Sequence, residues 1–148
     1  MTQFTWAEGF HPPRGVKPDD VKAALDKLKE PTPELLLDAS KRKTHVLHED
    51  LWAEGDQVWA QRGRLERCRK IIGAVHEVTV VGGKEINIRA VEFVKQNGEG
   101  RWATLDSIRS DPDLLEAYMS EIQRLQEQAT AKMQKVRDLM RAPHEEAA

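Results

Sequence analysis

Residues 75–94 read VHEVTVVGGKEINIRAVEFV, and this stretch decides the fold class. Apolar residues return at every second position on both sides of Gly82-Gly83, the period of a strand with one face inward. The glycine pair supplies the positive φ angles of a two-residue hairpin turn. The spacing therefore predicts a β-hairpin at about 75–94, with strands over 75–81 and 85–94. Ile86 and Ile88 share one face of the second strand, whereas Val91 and Phe93 share the other. A bulge or twist near Ala90 reconciles them.

Upstream the period is helical. Leu47, Leu51, Val58, Leu65, Cys68 and Ile72 form one stripe, with Trp52 and Trp59 a turn-face over, and predict a third, longer helix from about Glu49 to Ile72. Gly55 and Gly63 weaken it by about 1 kcal/mol each relative to Ala, so a break near either is expected. Two short helices precede it. Pro18-Asp19-Asp20 opens the first, with Val21, Ala24, Leu25 and Leu28 on one face, and Pro31 ends it. Thr32-Pro33-Glu34 opens the second, with Thr32 as cap and Pro33 in the first turn. Residues 1–17 hold Pro12, Pro13, Gly9 and Gly15 among Phe4, Trp6 and Phe10. Prolines and glycines oppose a regular element, while bare aromatics are costly, so this is an extended aromatic arm that lies on this domain or on a neighbour.

Downstream, Gln96–Gly100 reads as a loop and Trp102–Arg109 as a short helix capped by Thr104. Ser110-Asp111-Pro112-Asp113 then opens a long amphipathic helix over 111–141, with Ser110 placed to cap and the acids at the positive end of the dipole. Leu115, Tyr118, Ile122, Leu125, Ala129, Met133, Val136 and Met140 form its stripe, and Pro143 ends it before a disordered tail. At about 1.5 Å per residue it runs on the order of 45 Å, longer than a small domain is wide. Its stronger half, Leu115 to Leu125, is expected to complete the core of a domain spanning 18–125. Its weaker half is expected to reach a partner. The fold class is α+β and mostly helical: short N-terminal helices, one longer central helix, a β-hairpin, and a long C-terminal amphipathic helix.

Composition narrows function. The chain has 148 residues, 23 Lys and Arg against 25 Asp and Glu, and a net charge of −2, so nucleic-acid binding would need a local patch. One cysteine, Cys68, forms no intramolecular disulfide and fits a reducing compartment. It falls on the apolar stripe, where a thiol is a small hydrophobe with a raised pKa and a poor nucleophile. No apolar run spans a membrane, and the N-terminus lacks a signal-peptide pattern, so the cytoplasm or an assembly built there is the expected location. Gly82-Gly83 has no phosphate-loop spacing, no serine sits in a nucleophile elbow, and His45 and His48 have no second ligand pair beside them. No catalytic, cofactor, metal or small-molecule site is inferred.

Two binding readings follow. In the first, the protein acts through protein–protein contacts as a homo-oligomer or on other proteins, with Phe4, Trp6, Phe10, Met133, Val136 and Met140 as interface residues. In the second, three helices followed by a hairpin form a winged-helix-like DNA binder that dimerises through the last helix. Eight basic residues around the third helix outnumber five acidic ones, and Lys41, Arg42, Lys43, Arg62, Arg64 and Lys84 would be its nucleic-acid contacts.

The block from Thr32 to Ile122 resembles a group of small uncharacterised proteins of tailed bacteriophages and prophages. The resemblance is carried by Thr32-Pro33-Glu34-Leu35-Leu36-Leu37-Asp38-Ala39-Ser40, by Leu47-His48, by Trp52 and Gln57-Val58-Trp59-Ala60-Gln61-Arg62, by Arg69-Lys70-Ile71-Ile72, and by Thr104-Leu105-Asp106-Ser107-Ile108 ahead of Ser110-Asp111-Pro112-Asp113-Leu114. It implies a phage origin and a non-enzymatic role, as a structural or assembly protein of the virion or in handling DNA. A small inhibitor of a host protein is a weaker alternative. The resemblance carries over no site residues.

Overall fold

The computed structural model of the chain describes residues 2–55 and 61–142, with only the backbone of Gln61. Val58 and Trp59 of the expected third helix, and the tail from Pro143, lie outside the described residues. The fold is α+β and mostly helical, with strand β1 (Gln3–Trp6), helices α1 (Pro18–Asp26), α2 (Pro33–Ser40), α3 (His48–Trp52) and α4 (Gln61–Ala74), strands β2 (Val75–Val81), β3 (Lys84–Arg89), β4 (Val91–Gln96) and β5 (Glu99–Thr104), and helices α5 (Leu105–Ser110) and α6 (Pro112–Arg141).

The hairpin forms where the period of two predicts it. Val81 faces Lys84 and His76 faces Arg89 across Gly82-Gly83, whose φ angles are +57° and +78°. The second strand does not run to Val94, however. It stops at Arg89, and Ala90 turns the chain into a second sheet. The Ala90 N–H donates to the Val75 carbonyl, and its carbonyl accepts from the Leu105 N–H, both at 2.9 Å. One buried small residue thus closes both sheets, which resolves the conflict of faces around it. The stretch read as a loop is the tip of a second hairpin, β4–β5, with Asn97 (φ +53°) and Gly98 (φ +80°) in the turn. Trp102 belongs to β5 rather than to a helix, and α5 begins only after Thr104, whose hydroxyl accepts from the Ser107 N–H at 3.2 Å.

The N-terminal arm is the outer strand of the first sheet. β1 pairs antiparallel with β2, Trp6 opposite Val75 and Gln3 opposite Val78. The expected third helix is α3 and α4. α3 ends at Trp52, and Gly55 takes φ +68°, a left-handed angle that a helix cannot contain.

The main core joins α1 (Val21, Leu25), α2 (Leu36, Leu37), the α3 turn (Leu47, Leu51), α4 (Cys68, Ile71, Ile72) and Val75, Ala90 and Val91. A smaller cluster, Val94, Ala103, Ile108 and Leu114, joins the second hairpin to α5 and to the first turn of α6. The first hairpin therefore lies against α1 and α4, and the second one carries the long helix.

Candidate interaction surface

α6 starts on a built cap. The Asp111 carboxylate, rather than Ser110, accepts from the N–H groups of Asp113 and Leu114 at 3.1 and 3.2 Å, with Pro112 in the first turn. Leu114 is fully buried, and Ala117 and Tyr118 are half-buried against the smaller cluster. The Tyr118 hydroxyl donates to Glu92 on β4 at 3.4 Å. Partial burial holds both groups above their usual pKa ranges, Glu92 first through desolvation and Tyr118 through desolvation and then the nearby carboxylate.

Beyond this root the helix leaves the domain. Every residue from Ile122 to Ala142 is exposed. The expectation that Leu115 to Leu125 fill the core is therefore corrected: Leu115, Ile122 and Leu125 are exposed, and the core takes Leu114 with the flanks of Ala117 and Tyr118. The physical reason is geometric. A straight helix leaves a small domain after two or three turns, and the domain here has closed its core with α4, two sheets and α5. The free length keeps its apolar stripe. Met133, Val136, Leu139 and Met140 are 55%, 52%, 76% and 82% exposed. Met119 and Leu139, which the sequence reading left off the stripe, lie exposed on the same helix.

The interface residues read from the sequence therefore divide. Met133, Val136 and Met140 stand on the free helix. Phe4, Trp6 and Phe10 fold onto this domain's own core, half-buried, and are not an arm held out to a neighbour. The Trp6 and Phe10 rings pack at a 40° tilt with centroids 5.2 Å apart, the Phe4 ring lies 5.3 Å from the Lys22 ammonium, and the Phe10 ring lies 5.3 Å from the Arg67 guanidinium. The alternation Phe4–Trp6 within an edge strand was the missed signal.

The nucleic-acid residues divide too. Lys41, Arg42, Lys43 and Arg62 are exposed, and Lys84 stands at the tip of the β2–β3 hairpin. Arg64 is buried, which removes it from any DNA-facing set. Its guanidinium lies 4.1 Å from the Trp52 ring centroid, and its Nε donates to the Leu51 carbonyl at 3.0 Å. Arg67 grips Asp50 through two bonds of 3.1 and 3.2 Å, and Arg69 pairs with Glu66. Of the basic residues around α4, Arg64 and Arg67 are thus used inside the fold, while Lys41, Arg42, Lys43, Arg62, Arg69 and Lys70 stay exposed. An open cleft of about 440 Å³ does collect Arg69, Lys70 and Arg89 beside Phe10 and Trp102, with Glu8 also in its lining.

His45 and His48 each serve the start of α3. His45 Nδ1 accepts from the Leu47 N–H, and His48 Nδ1 meets the Ser40 carbonyl at 2.8 Å. Burial, then the neighbouring His48, Lys27 and Arg42, lower the pKa of His45. Cys68 is buried, and desolvation followed by Asp50 and Glu34 pushes its thiol up to about 12. Among the described residues, no helix is long and apolar enough to cross a membrane. Comparison with family models, curated proteins and solved structures finds no match for this chain.

Proposed function

We propose that the protein is a non-enzymatic structural or assembly factor that works through protein–protein contacts made by the free length of α6. One observation carries this reading: about twenty residues of helix, Ile122 to Arg141, project with an apolar stripe that no described residue covers. A free helix of that length is marginal in water, because most helical stability in proteins comes from packing an amphipathic face. An uncovered stripe of this kind marks an interaction surface. The resemblance of residues 32–122 to small phage proteins supports particle assembly as the setting. Partners are a second copy or other proteins of the same particle, in the host cytoplasm or in the virion.

Truncation after Gln128 tests the reading. The domain is expected to keep its circular dichroism signature of folded strands and a melting temperature within a few degrees of the full chain, while light scattering and co-sedimentation with particles show loss of association. Unfolding on truncation would show that the helix belongs to the core. Unchanged association would move the contact surface elsewhere. A gel shift separates the alternative DNA reading: binding must fall steeply with salt and weaken when Lys41, Arg42 and Lys43 become alanine.

A further inference from the structure

The sequence of α6 repeats every seven residues. Leu115, Ile122, Ala129 and Val136 occupy one position, and Tyr118, Leu125, Lys132 and Leu139 the position three residues later. These are the two seam positions of a coiled coil. The seam has two irregular layers, the small Ala129 and the charged Lys132. In a parallel pair Ala129 would face Ala129 and Lys132 would face Lys132, leaving a thin layer beside a repulsive one. Reversing one helix removes both faults. Leu115 then faces Leu139, Tyr118 faces Val136, Leu125 fills the space over Ala129, and the Lys132 stem lies on Ile122 with its ammonium free to reach water.

Charge along the helix favours the same direction. The first half holds four carboxylates, Asp113, Glu116, Glu121 and Glu127, against one cation, Arg124; the second half holds four cations, Lys132, Lys135, Arg137 and Arg141, against one carboxylate, Asp138. Opposite ends attract only when the helices run in opposite senses. Glu121 and Lys135 fall on one flank of the seam, where an antiparallel pair brings each to the other twice. Within one chain Glu121 is held by Arg124 at 2.6 and 2.9 Å, while Lys135 forms no ion pair among the described residues.

Building on the reading of α6 as the contact surface, we infer that its occupant is a second copy of this chain, laid antiparallel over residues 115–139. The overlap is about 37 Å long. The end of each helix rests beside the root of the other, next to the Tyr118–Glu92 contact, and the two domains sit at opposite ends of the pair.

Disulfide trapping in the full chain tests direction, since Cys68 is buried. Leu115→Cys mixed with Leu139→Cys should cross-link under mild oxidation, and neither variant alone should. Cross-linking of each variant with itself and not with the other would overturn the antiparallel arrangement. Sedimentation across a concentration series should show a monomer–dimer equilibrium. Lys135→Glu should weaken association roughly tenfold, and adding Glu121→Lys in the same chain should restore it. A chain that stays monomeric at all concentrations overturns self-pairing. If truncation after Gln128 still abolishes particle association in that case, the contact-surface reading stands with another protein as occupant.

Discussion

One buried charge shows how single residues hold this small fold together. Glu77 on β2 is almost fully enclosed, and its carboxylate accepts from Arg109 on α5 at 2.6 Å. Arg109 is half-exposed, and the hydrogen bond from its guanidinium to Glu77 is the main cause that raises its pKa. The pair ties the first sheet to the helix that precedes α6. Arg109→Ala leaves Glu77 enclosed without its guanidinium, and should lower unfolding free energy in urea by about 2 kcal/mol. Glu77→Gln should cost less, because it removes the charge that needs compensation. Equal losses would mean that packing rather than charge is at stake. Cys68 sits in the main core with its thiol pushed up to about 12. It should resist a thiol reagent at pH 8 in the folded protein and react at once in denaturant; fast labelling in the native state would contradict its burial. Of these residues, only Cys68 was placed by the sequence reading, because its position on a helical stripe is a local pattern. The Glu77–Arg109 pair spans 32 positions, and no local pattern encodes it.

At the scale of elements, the sequence spoke where a period or a cap is local. Gly82-Gly83 marked the first hairpin, Thr32 and Thr104 marked helix starts, and Gly55 marked a break. The second hairpin was hidden because β5, Glu99–Thr104, reads EGRWAT, with no alternation to announce a strand. Its existence depends on pairing with β4, and Asn97-Gly98 was a turn signal that a loop reading absorbed. The root of α6 rests on this hairpin through Tyr118 and Glu92. Because folding raises the Glu92 pKa, the folded state favours its protonated form, and ionisation costs stability as pH rises through the carboxylate range. Glu92→Gln keeps an acceptor for the Tyr118 hydroxyl and removes that cost. The variant should melt above the parent at pH 7, and the gap should close as pH falls to 4. A gap that is constant with pH would assign the effect to packing instead.

For the whole molecule, the main core closes without α6, so the long helix divides into a root held by Leu114 and Tyr118 and an exposed length with none of the described residues under it. The stripe on that length was legible in the sequence, but its destination was not: an apolar stripe reads the same whether it faces its own domain or a partner. Local stability should follow this division, since helices without tertiary packing open far below the global unfolding free energy. Brief trypsin treatment of the dilute chain should therefore cut first at Arg124, Lys132, Lys135 and Arg137, releasing short peptides and leaving a fragment that ends near Arg124. That fragment should melt within a few degrees of the intact chain. Raising protein concentration should slow these cuts if the stripe becomes covered by another copy, while cleavage at the exposed Lys41–Lys43 turn should stay constant and serve as the internal reference. First cleavage at that turn in the dilute chain, with α6 intact, would mean that the helix is already packed in the isolated protein. Cleavage of α6 that ignores concentration would place the covering surface on a different protein.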